Sequence, residues 1–201
     1  MAKVTLENLN KIFLSKIGKD VKAVNDFNLL LEDGEILALL GSSGCGKTTT
    51  LRMIAGFETA TSGQIKIGER IVNDLKPADR NVAMAFEGYA LYPPLTVKDN
   101  IAFSLMRERI SKDKVDSKVM EVAELLEITD ILERYPPSIS GGQQQRVSLA
   151  RALVRDSDAL LLDEPMSQLE PQLRAVLRAR VKDYIQPVSY THLTLPTTKN
   201  V

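Results

Sequence analysis

Eight consecutive residues, Gly41-Ser42-Ser43-Gly44-Cys45-Gly46-Lys47-Thr48, carry the most specific chemistry in the chain. Glycines at 41, 44 and 46 let backbone N–H groups turn inward on a single anion. Lys47 adds an ammonium able to reach β- and γ-phosphates, and the Thr48 hydroxyl is an oxygen ligand suited to Mg²⁺. The spacing is G-x-x-x-x-G-K-[ST], and its flanks agree with it. The apolar run Ile36–Leu40 precedes it as an expected buried strand. Thr49–Ala55 follows as an expected helix closed by Gly56, whose N-terminus adds partial positive charge. Residues 41–49 therefore predict a cradle for a nucleoside triphosphate.

Two further segments supply what such a cradle needs. Ala159-Leu160-Leu161-Leu162 reads as an apolar strand that delivers Asp163 and Glu164 at its end. Phosphoryl transfer to water requires a metal holder and a group that orients or deprotonates the nucleophile. Asp163 is the expected Mg²⁺ partner and Glu164 the expected general base, with Lys47 on the phosphates. Upstream, Ser140-Gly141-Gly142-Gln143 opens a helix with Ser140 as N-cap. Its two glycines leave backbone N–H groups facing an anion.

The elements that position these residues are legible from periodicity. Residues 4–9 alternate as a half-buried strand, 22–31 suggest a second, and 61–68 a hairpin edge. This predicts a small antiparallel sheet on the N-terminal side of the phosphate loop, leaning on a parallel sheet that holds 36–40, 81–86 and 159–165. From 97 to 132 the spacing is helical, with Val115, Val119, Val122, Ala123, Leu125 and Leu126 as its apolar stripe. Pro136-Pro137 end that region. A helix from 140 to 155 and a last amphipathic helix from 169 to 185 complete an α/β chain.

Basic and acidic residues balance at 26 each, so no global field draws the protein to nucleic acid or an anionic membrane. The single cysteine lies inside the phosphate loop and cannot form an internal disulfide, which fits a reducing cytosol. No apolar run approaches a membrane span, and the N-terminus lacks a signal peptide's apolar core.

Ser140-Gly141-Gly142-Gln143 followed by Gln-Gln-Arg, together with the Leu-Leu-Leu-Asp-Glu strand at 160–164, resembles the ATP-binding cassette family, specifically the ATPase subunits of bacterial carbohydrate importers of the maltose-importer type. The resemblance covers about residues 3–186. It implies a P-loop NTPase fold with a RecA-like core, an N-terminal antiparallel β-subdomain and a helical subdomain inserted over about 88–146. It implies ATP and Mg²⁺ as ligands, and ATP hydrolysis coupled to import of a sugar or polyol. Two such subunits would sandwich two ATP molecules, with Ser140 to Gln143 of each capping the nucleotide on its partner. The implied partners are that second subunit, a transmembrane permease and, indirectly, an extracytoplasmic solute-binding protein. The implied location is the cytoplasmic face of a bacterial membrane. Phe13 sits where the family stacks an aromatic on adenine. Tyr89-Ala90-Leu91-Tyr92-Pro93 looks like the segment that borders a permease's coupling helix.

The chain departs from that pattern at three places. Glu87 stands where the family has a glutamine that reaches Mg²⁺; an ionised carboxylate accepts hydrogen bonds but cannot donate them. It is expected to remain a metal and catalytic residue with altered turnover. Glu170 replaces an aspartate expected at the subunit junction. Residues 187–201, including His192, resemble a translated sequencing adapter, so the expected native segment is 1–186 and His192 is not expected to be the family's switch histidine. Two rival classes stay open here: an ATP-binding regulatory partner with little hydrolysis, kept alive by Glu87 and Glu170, and a soluble non-transport cassette. The second carries a long coiled-coil insertion or two cassettes in one chain, whereas here one cassette has about 93 residues between Lys47 and Ser140 and no basic patch, which argues against it.

Overall fold

The computed structural model describes residues 1–15, 18–86, 88, 90–106, 108 and 110–185. They form two compact units, one within Met1–Val82 and one within Ala83–Pro187.

The first unit is built on a four-stranded antiparallel sheet in the order β2-β1-β3-β4. β1 spans Val4–Phe13, β2 Val21–Leu31, β3 Ser62–Ile67 and β4 Arg70–Ile71. Alternation along β1 puts Val4 and Leu6 on the buried face, opposite Ile67 and Ile65 of β3. A bulge interrupts β1 after Leu6 and lets Leu9 re-enter the core. Asn8, at φ 47°, makes the turn, and its N–H donates to Asn28 Oδ1 at 2.7 Å. Gly63, at φ 93°, fits against it; a Cβ there would stand 2.4 Å from Asn8 O. Helix α1, Lys47–Ala55, buries Thr50, Met53, Ile54 and Ala55.

The expected strand at 36–40 does not form. None of the described strands pairs with it, and Leu40 is 58% exposed. A central parallel strand draws its hydrogen bonds from neighbours on both sides, so apolar character alone does not make one.

In the second unit β5, Val82–Ala85, pairs with β6, Ala159–Leu162, and the helices pack as one core. The long helical stretch divides into α2, Val97–Phe103, and α3, Lys112–Leu125, followed by a 3-10 turn at Thr129–Ile131. Separate N-caps explain the division: Thr96 Oγ1 accepts from Asp99 N, and Ser111 Oγ from Lys114 N. Of the expected stripe, Val119, Val122, Ala123 and Leu126 are buried, while Val115 and Leu125 lie at its margin. α4 spans Gly141–Leu153 and α5 Pro171–Ile185.

Candidate functional site

The phosphate loop ends in a left-handed residue. Gly46, the N-cap of α1, has φ 93°, and a Cβ there would stand 2.3 Å from the backbone oxygen of Ala23 on β2. Only glycine lets the loop lie this close to the strand. Gly44, at φ 80°, supplies the second reversal. Lys47 is drawn back over the loop: its Nζ donates to Gly41 O and Ser42 O, both at 2.9 Å, and approaches Cys45 Sγ at 3.6 Å. Ser42, Ser43, Gly44 and Cys45 are exposed, and Thr48 and Thr49 half-buried. The first turn of α1 contains no acidic residue, so the positive end of its dipole is not neutralised from within. These features fit a polyphosphate.

Phe13 ends β1 and is 40% exposed. Its register relates it to the loop. Phe13 faces Val21 across the β1–β2 ladder, and Val21 lies two residues from Ala23, on which Gly46 rests. Strand geometry makes that roughly 7 Å along β2 and about 5 Å across to β1.

In the second unit Asp163 is buried at the end of β6, and its N–H donates to Ala85 O at 3.0 Å, carrying the β5–β6 pairing one residue beyond the strand. Glu164 follows, exposed and in the left-handed region at φ 48°. A non-glycine residue held there costs on the order of 1 kcal/mol or more and persists only when its surroundings enforce it. Gln145 of α4, itself buried, provides the enforcement. Its Nε2 donates to Glu164 O at 3.1 Å and Ser167 Oγ at 3.0 Å, and its Oε1 accepts from Gln168 N at 2.9 Å. Arg174 adds contacts to Ser167 O and Leu169 O.

The same helix begins with a reciprocal capping box. Ser140 Oγ accepts from Gln143 N at 3.3 Å, and Gln143 Oε1 accepts from Ser140 N at 2.9 Å. A Cβ on Gly142 would meet Leu169 Cδ2 at 3.4 Å and Gln168 O at 3.5 Å, ordinary van der Waals contact, so the start of α4 lies beside the 168–169 turn. Through Gln145, the helix that Ser140 caps is hydrogen-bonded to the 164–168 turn inside the second unit. Glu87, Tyr89 and residues 186–201, His192 among them, lie outside the described residues.

As for a metal, Thr48 and Asp163 are hard oxygen donors. No group of three or more His, Cys, Asp or Glu able to hold a metal occurs among the described residues.

Sequence reading missed four residues that build the site. Gln145 lies in a run of three glutamines that does not single it out. Arg80 is buried, and its guanidinium donates to Met53 O, Ile54 O, Asn73 O and Leu75 O at 2.7–3.0 Å, holding the C-terminal end of α1. Lys11 and Glu58 form a 2.7 Å ion pair. Nothing in the periodicity singles these out, because each acts on backbone carbonyls or on partners far away in sequence.

Comparisons with known proteins place the chain in a family. The ABC transporter family model matches residues 24–167. The chain is 45% identical over 193 residues to the sn-glycerol-3-phosphate import ATP-binding protein UgpC of Ruegeria pomeroyi, covering 96% of this chain and 54% of that protein. It is 49% identical over 188 residues to the trehalose/maltose import ATP-binding protein MalK of Thermococcus litoralis, covering 90% of this chain and 49% of that one. The chain thus spans about half the length of the curated relatives it matches. Among solved structures, the ATP-binding cassette MJ0796, a dimer in a post-hydrolysis state bound to ADP and Pi, superposes with a TM-score of 0.84 at 26% identity, over 95% of this chain and 87% of that one. No described helix is long and apolar enough to cross a membrane. The fold is the α/β P-loop NTPase fold of the cassettes, and the chain belongs to the ABC transporter family.

Proposed function

We propose that the chain is the ATP-binding and ATP-hydrolysing part of a solute importer, taking a sugar, polyol or polyol phosphate through a membrane permease. The observation that carries this reading is the phosphate loop itself: left-handed Gly46 against Ala23 O, Lys47 over the loop carbonyls, and a helix dipole left unopposed. The class of solute comes from the relatives, whose names specify glycerol phosphate, xylose/arabinose and trehalose/maltose import.

In this reading residues 41–49 bind the β- and γ-phosphates of ATP, and Phe13 stacks on adenine. Glu164 accepts a proton from the water that attacks the γ-phosphorus, and the bond to the β-phosphate oxygen breaks with its electrons left on ADP. Thr48 and Asp163, joined by Glu87, would hold Mg²⁺, which neutralises charge on the phosphates. Along Ser140 to Gln143, the Ser140 hydroxyl and the N–H groups of Gly141 and Gly142 would meet the nucleotide of a second cassette subunit, the N–H groups of Ser140 and Gln143 being held in the capping box. The permease meets the 90–93 segment. Asn100, fully buried, shapes that segment by accepting from Tyr92 N and donating to Tyr92 O, Leu95 O and Thr96 O. The assembly would sit on the cytoplasmic face of the membrane, held there by the permease.

Phosphate release from ATP by the purified chain is the test. Lys47→Ala should abolish ATP binding, whereas Glu164→Gln should keep binding and slow turnover by roughly 10²–10⁴-fold. A wild-type chain that binds ATP without turnover, and gains it on Glu87→Gln, would give the lead to the regulatory reading, since Glu87 is one of the chain's departures from the family pattern.

A further inference from the structure

Lys11 is an unusual lysine for the end of an open strand. Its side chain is only 12% exposed, and three groups converge on its ammonium. The Glu58 carboxylate lies at 2.7 Å, Thr59 O at 2.8 Å, and the centroid of the Phe13 ring at 4.8 Å. Lys11 and Phe13 share a face of β1 because they are two residues apart on a strand. An ammonium fixed over one face of an aromatic ring is held by the ring's quadrupole and draws electron density from it. The ring remains 40% exposed to stack on another π system.

Glu58 connects this group to the phosphate loop. It lies just past the Gly56 C-cap of α1, and its N–H and that of Phe57 both donate to Arg52 O in the last turn of the helix. Lys11 also reaches Thr59 O on the same connection, and Thr61 Oγ1 accepts from Ile12 N. The end of β1 is therefore fastened to the helix whose other end carries Lys47.

We propose that Lys11, clamped by Glu58, is a positioning residue for the nucleotide base: it fixes the Phe13 ring and polarises it, and so sets base affinity without touching the phosphates. This rests on the reading of Phe13 as the adenine platform. The Glu58 carboxyl is held below its usual range, first by the hydrogen bond from Lys11, so its side of the clamp is ionised at neutral pH.

The test compares ATP with inorganic tripolyphosphate, which fills the phosphate loop and has no base. Affinities for both would be measured by calorimetry on the full chain and on Lys11→Met, Lys11→Arg and Glu58→Gln. The expected result is that Lys11→Met weakens ATP by about five- to twenty-fold, the scale of one base-stacking contact, and leaves tripolyphosphate unchanged. Glu58→Gln should give a smaller loss of the same kind, and Lys11→Arg should restore most of the ATP affinity. Equal losses for both ligands, or no loss for either, overturn the proposal. If Lys11→Met does not fold, Glu58→Gln decides on the same criterion. A wild-type chain that binds tripolyphosphate and ATP equally would instead remove the adenine platform, and one that binds neither would remove the nucleotide reading.

Discussion

Arg80 and Lys11 show how much of this site rests on cations held against oxygen atoms. Arg80 meets four carbonyls, two of them at the C-terminal end of α1, where a positive charge also complements the helix dipole. It packs so closely on Gly56 that a Cβ there would stand 2.6 Å from Arg80 Nε. Arg80→Met should lower stability by about 2–4 kcal/mol, because four carbonyls lose their donors. Arg80→Lys should recover only part of it, since an ammonium lacks the fork that spans them. Urea denaturation reads both, and a loss within error for Arg80→Met would mean that water replaces the guanidinium. Glu58 gives a pH signature. A carboxyl held below its usual range in the folded state adds stability that is complete above the unfolded value and is lost as pH falls through the folded one. Glu58→Gln should therefore flatten the acid side of the melting-temperature profile while leaving its slope above neutrality alone; superimposable acid limbs would count against the pair. The motif residues at 41–48 and 163–164 were readable from type and spacing. Arg80 and Glu58 were not, because their roles exist only once distant carbonyls and Lys11 are brought to them.

At the level of elements, the sequence located most helices and strands and misjudged what makes them. β1, β3, β6, α4 and α5 lie where periodicity and caps put them. Residues 36–40 have the composition of a buried strand, yet pairing is a property of neighbours, and no described strand pairs with them. The stretch from 97 to 125 has one continuous helical stripe, and two side-chain caps cut it. The turn after β6 is the clearest case of an element set from outside itself. Glu164 takes its left-handed backbone because Gln145 holds three groups across that turn. Gln145→Leu keeps the volume and removes the bonds. It should lower stability by about 1–3 kcal/mol and cut ATP turnover much more than ATP binding. A proportionate fall in both would show that the turn does not govern the chemistry. Ser140→Ala, which removes one arm of the capping box, should cost about 1 kcal/mol by the same denaturation assay.

For the molecule as a whole, α/β class and cassette membership were legible from 201 residues. If the cassette closes as a nucleotide sandwich, Glu164→Gln with ATP should move the mass measured by light scattering from 22.2 kDa to about twice that, and Lys47→Ala should stay at the lower value. A monomer under both conditions would argue that the chain requires a different cassette as its mate. The contact between Gly46 and Ala23 O reaches further than any side chain in the site. The loop takes its shape from the path of a main chain, so the identity of residue 23 carries little information, while its place in the count carries a great deal. In a library of variants, position 23 should accept many small side chains. A single-residue insertion or deletion between 21 and 24 shifts which carbonyl lies beneath the glycine and turns Val24 off its face. Such length changes should vanish from a selection for nucleotide binding while neighbouring substitutions survive it.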